Sequence, residues 1–357
     1  MPFINDQLRA NEEQLLRKQS FASRFTFKTE DVMHHLTSSI FGQDHVLQHI
    51  ENMLHIVKAD IGDPYRPLYV ALFLGPTGVG KTETVRSVAK AIHGDPELFC
   101  RVDMNTLSQE HYAASLTGAP PGYVGSKEGS SIFQEDLIEG SFSKPGIVLF
   151  DELEKASEPV IQALLNVFDT GTLILTSGEQ KIDFRNTLIF MTSNIGSREM
   201  GNFANNSLNN KLKKLLYRTK PANWRMKEDV MISHVIKQSM EKSFPPEFIN
   251  RIDDVLTFQW LKRDVMEEIL NAQLELLNER LKKKQYQLEV NEEARRFLIE
   301  KGYDQKYGAR SLKRSIRKHL ELPVALAMRT QSTGKLRASV QGNEIAVNRQ
   351  EGMINDV

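Results

Sequence analysis

The stretch Gly75-Pro76-Thr77-Gly78-Val79-Gly80-Lys81-Thr82 decides the fold of this chain. It directly follows the apolar run Leu68 to Leu74 and precedes a segment with the apolar spacing of a helix. A strand, a glycine-rich turn and a helix in this order are the context that a phosphate-binding P-loop requires. The glycines let backbone amides turn toward phosphate oxygens, Lys81 reaches the terminal phosphates, and the Thr82 hydroxyl can ligate magnesium. The stretch therefore predicts a site for a nucleoside triphosphate with magnesium.

Three further apolar runs resemble the one before the P-loop. They are Phe99 to Val102, Ile147 to Phe150 and Thr187 to Met191. Strands that are almost continuously apolar are covered on both faces, and helical segments lie between these runs, so the pattern predicts an α/β fold with a doubly wound, mostly parallel sheet. After Asp253 the pattern changes to a long helix that begins near Asp264 and carries a leucine stripe. That helix indicates a smaller, mainly helical C-terminal domain, for which we also expect a short sheet.

These changes of pattern divide the chain into four parts. Residues 1–38 are expected to form a leader, helical or partly disordered, and residues 39–253 a large nucleotide-binding domain. Residues 254–347 are expected to form the small domain, and residues 348–357 a tail. The leader could be a disordered tail, a subunit contact or a recruitment peptide, and its sequence does not choose among these. The polar and basic residues 201–229 are interpreted as a surface insertion.

Composition and charge argue against several classes of protein. The chain has 357 residues, with 46 Lys and Arg against 46 Asp and Glu, so no overall positive field favours nucleic acid. The longest apolar run is far shorter than the roughly twenty residues needed to cross a bilayer, so no membrane span is expected. The single cysteine, Cys100, excludes an internal disulfide and fits a reducing, cytoplasmic compartment. No histidine pair has a third ligand at metal spacing, so magnesium is the only metal implied.

Two adjacent carboxylates, Asp151 and Glu152, follow the third apolar run. An unpaired charge at the end of a buried strand is costly, so these carboxylates need a cation or water nearby. Asp151 is suited to hold the magnesium shell, mostly through water, and Glu152 to polarise the water that attacks the terminal phosphate. Asn194 follows the fourth run, where its amide could align that water. A solvated strand end is the alternative reading of the two carboxylates.

Taken together, these motifs resemble those of the AAA+ ATPases, and within them the second ATPase module of two-ring Clp unfoldases and disaggregases such as ClpB and ClpA. The resemblance covers roughly residues 39–347. It extends to Phe41-Gly42-Gln43-Asp44, similar to the adenine-side box, to the segment from Phe244 to Asp253, similar to the arginine-finger segment, and to Tyr307-Gly308-Ala309-Arg310, similar to the second sensor. The resemblance implies that Arg251 completes the site of a neighbouring subunit and that Arg310 contacts the nucleotide bound to its own subunit.

The P-loop and the resemblance together define the expected site, with ATP and magnesium as cofactors. The expected catalytic residues are Glu152, Asn194, Arg251 and Arg310, and Thr82 and Asp151 are the residues expected around the metal. The expected nucleotide-binding residues are Phe41, Gly75, Pro76, Thr77, Gly78, Val79, Gly80, Lys81, Thr82 and Asp151.

A second functional segment is Gly122-Tyr123-Val124-Gly125, in which glycines flank an aromatic residue. By composition alone, a turn whose tyrosine packs on its own domain is an equally good reading. The segment resembles the pore loop of the Clp family, which implies that Tyr123 and Val124 grip a polypeptide without regard to its sequence. A ring that wedges against any extended chain suits that task.

The resemblance implies an ATP-dependent protein unfoldase or remodelling motor. Such a motor is a homo-oligomeric ring, a hexamer, that threads polypeptide through its centre. Only 40 residues precede Phe41, so a single ring is expected. A subunit that feeds a partner peptidase and a nucleotide-switched assembly scaffold remain alternatives, whereas the neutral charge disfavours a DNA motor. Met200-Gly201-Asn202-Phe203 departs from the tripeptide of the protease-feeding members, so no peptidase or adaptor is assigned.

Overall fold

The computed structural model describes residues 23–107, 132–174, 181–197, 236, 238–304, 307–330 and 333–349. Several sequence predictions fall outside the described residues. They concern the pore-loop candidate Gly122, Tyr123, Val124 and Gly125, the insertion 201–229, and most of the leader and the tail. Within the described ranges, none of the helices has both the length and the apolar character that a membrane span requires.

Among the residues that the structure describes, a five-stranded sheet forms the centre of the large domain. Its strands are β1 (Tyr69–Leu74), β2 (Cys100–Asp103), β3 (Gly146–Asp151), β6 (Thr187–Ser193) and β7 (Asp254–Thr257), while β4 (Thr172–Ile174) and β5 (Lys181–Asp183) form a separate antiparallel pair. The order across the large sheet is β2-β3-β6-β1-β7, and every neighbouring pair is parallel. The predicted α/β fold is thus confirmed, and the four apolar runs correspond to β1, β2, β3 and β6.

The apolar pattern does not predict the fifth strand, β7. It lies at the edge of the sheet beside β1, where Ala71 is opposite Asp254 and Leu74 is opposite Thr257. Its sequence Asp-Val-Leu-Thr has polar residues at both ends, and only Leu256 is fully buried. A short edge strand of this kind is specified by its partner more than by its own composition. The division of the chain between residues 253 and 254 stays a prediction.

Helices cover both faces of the large sheet. They include α1 (Thr29–Ser39), α2 (Asp44–Ala59), α3 (Lys81–His93), α4 (Met104–Leu107), α5 (Glu135–Glu139), α6 (Glu158–Thr170) and α7 (Pro246–Ile249), together with a short 3-10 turn (Leu153–Lys155) after β3. Ala71 and Phe73 of β1 belong to the buried cluster that includes α1, α2 and α3, whereas Val70 and Leu72 belong to the cluster that includes α6. Because alternate residues enter opposite buried layers, β1, β3 and β6 are buried almost throughout, whereas β2 alternates between buried and exposed residues.

The remaining elements form the small domain. They are α8 (Val265–Lys282), β8 (Tyr286–Val290), α9 (Glu292–Gly302), α10 (Ala309–Ile316), a π-helical turn (Arg317–Glu321), α11 (Leu322–Thr330), β9 (Gly334–Gln341) and β10 (Glu344–Arg349). The three strands make a short sheet in the order β10-β9-β8. The leucine stripe of α8 is buried in the core, as predicted: Leu270, Leu274, Leu277 and Leu281 are each at most 5% exposed.

Two contacts hold the connection between β7 and α8 against the large domain. Gln43, which is fully buried, donates from Nε2 to the carbonyl of Gln259 and accepts from the Gln259 amide, both at 3.0 Å. The Phe258 ring packs on the Phe73 ring with centroids 5.2 Å apart. Gly75 at the end of β1 has a φ of +140°, and a Cβ at this position would lie 2.5 Å from the Phe258 carbonyl oxygen. The first glycine of the P-loop is therefore required by the close approach of this connection.

Candidate functional site

A cleft with a volume of about 520 Å³ lies between the P-loop, the ends of β3 and β6, and helices α8 and α10 of the small domain. Its lining brings together most of the residues that the sequence assigns to the site. These are Phe41, Thr77, Gly78, Val79, Gly80, Lys81, Thr82, Asp151, Glu152, Asn194 and Arg310. Gly75 and Pro76 are not in the described lining, but their carbonyls contact Lys81. Arg251 is also absent from that lining.

The P-loop depends on glycine at two further positions. Gly80 caps the N-terminus of α3 with a φ of 111°, in the region that L residues rarely adopt. Gly78 has a φ of +78°, and a Cβ there would lie 2.3 Å from the carbonyl oxygen of Tyr307. The carbonyl of Gly78 in turn accepts from the Ala309 amide at 2.9 Å. The P-loop thus contacts the segment that carries Arg310, which places this arginine at the cleft.

Lys81 is buried and lies at the centre of a polar network. Its ammonium donates to the carbonyls of Gly75 at 2.5 Å and Pro76 at 2.8 Å, and to Oδ1 of Asn194 at 2.9 Å. Burial lowers the pKa of Lys81 from its ordinary 10.5 to about 8, although the carboxylate of Glu154 partly opposes this shift. The nearby guanidinium of Arg310 contributes to the same lowering of the Lys81 pKa. A binding partner of Lys81 that carries negative charge would therefore favour its protonated form.

Asp151, at the end of β3, is 8% exposed and has two partners. Its Oδ1 accepts from the Thr192 hydroxyl, and its Oδ2 pairs with Nη2 of Arg101 on β2 at 2.5 Å. A carboxylate and the hydroxyl of Thr82 in one cleft are hard oxygen donors, which fit magnesium. The sequence does not single out Arg101, since its partner comes from another strand and one exposed arginine has no pattern around it.

Glu152 leaves the strand in an unusual conformation. Its φ of 60° and ψ of 50° lie in the left-handed region, which costs energy for a residue with a side chain. Its amide donates to the Thr192 hydroxyl oxygen at 3.1 Å, and its side chain is exposed at the cleft. The two adjacent carboxylates therefore differ in environment: Asp151 is held by charge and hydrogen bonds, whereas Glu152 is presented to the cleft.

Asn194 connects the P-loop to the turn that follows β3. Its Oδ1 accepts from Lys81, and its Nδ2 donates to Oε1 of Glu154 at 3.2 Å. The amide of Asn194 also donates to the Glu154 carboxylate at 3.3 Å. These contacts determine which end of the Asn194 side chain faces Lys81. Glu154 is a residue that the sequence reasoning missed, because nothing in its local pattern distinguishes it from a solvated charge.

Arg251 lies on another surface of the large domain. Its guanidinium is half exposed and forms an ion pair with Asp169 at the end of α6. The neighbouring Asp253 accepts from the Val70 amide at 2.8 Å, which attaches this segment to β1. The structure therefore brings Glu152, Asn194 and Arg310 to one cleft and does not bring Arg251 to it.

Comparison with known proteins agrees with this geometry. The family described as "AAA domain (Cdc48 subfamily)" matches residues 66–255, and "C-terminal, D2-small domain, of ClpB protein" matches residues 261–339. The ATP-dependent protease ATP-binding subunit-like protein AmiB of Pseudomonas aeruginosa is 48% identical over 91% of this chain and 92% of its own length. An ATP-dependent protease ATP-binding subunit-like protein of Rhodococcus erythropolis is 39% identical over 98% of this chain and 99% of its own. The chaperone protein ClpB of Aquifex aeolicus is 37% identical over 84% of this chain but only 28% of its own length.

The environment of Lys81 generates a prediction for pH. Because its pKa is about 8, the ammonium loses its proton as the pH rises from 7 to 9, and nucleotide binding must then take up a proton. The affinity for ATP should therefore be about tenfold lower at pH 9 than at pH 7. Titration with a fluorescent ATP analogue measures this change. The Lys81→Ala variant should bind more weakly but without this pH dependence, and a wild-type affinity that is equal at both pH values would contradict the assignment.

Proposed function

We propose that this chain, which belongs to the Clp family of AAA+ ATPases, uses ATP hydrolysis to unfold or remodel proteins as a ring that threads polypeptide through a central pore. The observation that carries the proposal is the location of Arg251 outside the cleft that holds the other expected catalytic residues. An arginine that acts on phosphate from a separate surface must come from a second subunit. A closed ring, here a hexamer, supplies such an arginine to every site.

The charged and polar residues of the expected site have the following roles in this proposal. Lys81 binds the terminal phosphates, and Glu152 polarises the attacking water. Asn194 orients that water, because its Nδ2 is held by Glu154 and its Oδ1 by Lys81. Thr82 and Asp151 would hold magnesium, mostly through water, and a bound metal would neutralise charge on the phosphates. Arg310 contacts the nucleotide of its own subunit, and the neighbour's Arg251 stabilises charge on the transferred phosphoryl group.

The polypeptide site is proposed on the segment Gly122 to Gly125, with Tyr123 as the gripping residue. Its support is the sequence of the segment, two glycines around an aromatic and an aliphatic side chain, together with the family of the chain. A cytoplasmic location, in which ATP and unfolded chains are both present, is part of the proposal.

A second candidate function is the delivery of unfolded chains to a partner peptidase. Two relatives that align along more than 90% of both chains have names that describe ATP-binding subunits of ATP-dependent proteases. The threading step would be the same in both cases, and only the fate of the substrate would differ. A nucleotide-switched assembly scaffold, which would bind ATP without threading, is the third candidate.

The acidic pair generates the first functional prediction. Glu152→Gln should retain ATP binding but lose turnover by at least a hundredfold, because water activation is lost while Asp151 remains available to magnesium. Release of phosphate and binding of a fluorescent ATP analogue measure the two properties separately. The comparison variant Lys81→Ala should lose affinity instead. Turnover of Glu152→Gln within threefold of the wild type would show that Glu152 is not the base.

Arg251 generates the second functional prediction. Arg251→Ala should lose turnover by about a thousandfold while ATP stays bound, since a finger arginine acts mainly on the transition state. Mixing this chain with Lys81→Ala should restore part of the turnover, because an intact Arg251 then faces an intact cleft at hybrid interfaces. Steady-state phosphate release of the mixture measures the restoration. Normal hydrolysis by Arg251→Ala alone would exclude a shared site.

Tyr123 generates the third functional prediction, which distinguishes a threading motor from an assembly scaffold. Tyr123→Ala should leave basal ATP hydrolysis near the wild-type rate but abolish the unfolding of a tagged fluorescent protein. Tyr123→Phe should retain most of the unfolding, because the grip depends on the ring and not on the hydroxyl. The loss of tagged-protein fluorescence in the presence of ATP is the measurement. Unfolding by Tyr123→Ala at the wild-type rate would favour the scaffold.

A further inference from the structure

The geometry points to Asp169 as a positioning residue for Arg251: its carboxylate holds the guanidinium in the orientation in which one subunit offers it to the next. The inference rests on the proposed shared site. Asp169 is not in the described lining of its own cleft, so it acts through Arg251 and not on the reacting atoms. The sequence pattern does not indicate a functional role for Asp169, which is an exposed residue at the end of a helix.

The contact between the two side chains is the first observation. Nε of Arg251 pairs with Oδ1 of Asp169, and the two side chains are 49% and 44% exposed. Exposed ion pairs contribute little to the stability of a fold, so the gain in stability from this contact is small. A guanidinium carries most of its N–H groups on its two Nη atoms. A contact through Nε is therefore compatible with a phosphoryl group at the Nη edge.

The location of Asp169 on its helix is the second observation. It lies in the last turn of α6, where the helix dipole disfavours negative charge, and that turn contains no basic residue of its own. The positive charge of Arg251 offsets this unfavourable placement from another part of the chain. The pair therefore compensates Asp169 locally and at the same time restricts the rotamers of Arg251.

A clamp formed by Arg66 joins the same two segments. Its Nε donates to the carbonyl of Phe168 on α6 at 3.3 Å, while its Nη2 donates to the carbonyl of Arg251 and to Oδ1 of Asp253, each at 3.2 Å. Beneath it, the buried rings of Phe168 and Phe248 pack with centroids 5.5 Å apart. The backbone of the Arg251 segment is thus attached to the end of α6, and Asp169 restrains the side chain.

Helix α6 is a rigid base for this arrangement. Val160, Val167 and Phe168 on its inner face are fully buried in the core of the large domain. Gly171, with a φ of 63°, ends the helix directly after the turn that carries Asp169. Positioning groups are most accurate when they are carried by packed helices or strands, as Asp169 is.

A mixed-ring experiment tests the inference. The parent mixture contains Lys81→Ala, which donates an intact Arg251, and Arg251→Ala, which supplies an intact cleft. Asp169→Asn is then added to one of the two chains at a time. On the Lys81→Ala chain, Asp169→Asn should lower the restored turnover by at least fivefold, because only that chain carries Arg251. The KM for ATP should not change. On the Arg251→Ala chain, Asp169→Asn should leave the restored turnover unchanged.

Three further variants on the donating chain complete the design. Asp169→Glu should recover at least half of the lost turnover, because the carboxylate is retained. Arg66→Gln, which removes the clamp, should lower turnover in the same direction as Asp169→Asn. The control Glu321→Gln breaks another exposed ion pair, between Arg280 and Glu321 at 2.8 Å, and should have no effect. Size-exclusion chromatography and thermal unfolding of each variant check that rings and folds are intact.

The outcomes separate the inference from the function on which it rests. A parent mixture that restores no turnover overturns the shared site, and the inference with it. If the parent mixture is active, an equal loss from Asp169→Asn on either chain shows a general structural role and overturns the inference alone. An unchanged turnover with Asp169→Asn on the donating chain also overturns the inference, because Asp169 would then have no effect on Arg251. An increased turnover overturns it as well, because Asp169 would then hinder Arg251.

Discussion

The parallel pairing of β1, β3 and β6 is the constraint on which the site depends. Leu74 at the end of β1 lies opposite Ser193 of β6, and Phe150 of β3 lies opposite Met191. Residues that directly follow parallel strands emerge at the same edge of a sheet. The P-loop, the acidic pair and Asn194 therefore meet there, although long segments of chain separate them.

This edge also concentrates charge in a poorly solvated place. Lys81 and Asp151 are both less than 10% exposed, and buried charges are tolerated only with partners. Asp151 has Arg101 and Thr192, while Lys81 has carbonyl and amide acceptors and a lowered pKa. Such perturbed and paired charges are typical of functional sites rather than of structural cores. Their arrangement is consistent with a site that exchanges some of these partners for phosphate and metal.

The small domain is as much a part of the cleft as the sheet is. The carbonyl of Gly78 accepts from Ala309, and Gln43 binds the backbone of Gln259. The second contact depends on the Gln43 side chain, whereas the first uses only backbone groups and therefore requires close approach rather than a particular side chain. This explains why glycine is needed at position 78 for packing against Tyr307 as well as for wrapping phosphate.

The sequence by itself determined the P-loop, four of the five strands of the large sheet, the acidic pair and the buried face of α8. Each of these is encoded in contiguous residues, as a motif or an apolar period, and can be read without knowing the fold. Only the tertiary structure decided the strand β7, the partners Arg101 and Glu154, and the pairing of Asp169 with Arg251. Arg101 and Asp151 are 50 residues apart, and a single charged side chain has no local pattern. Its partner depends on which strands and helices become neighbours, which is a property of the whole fold.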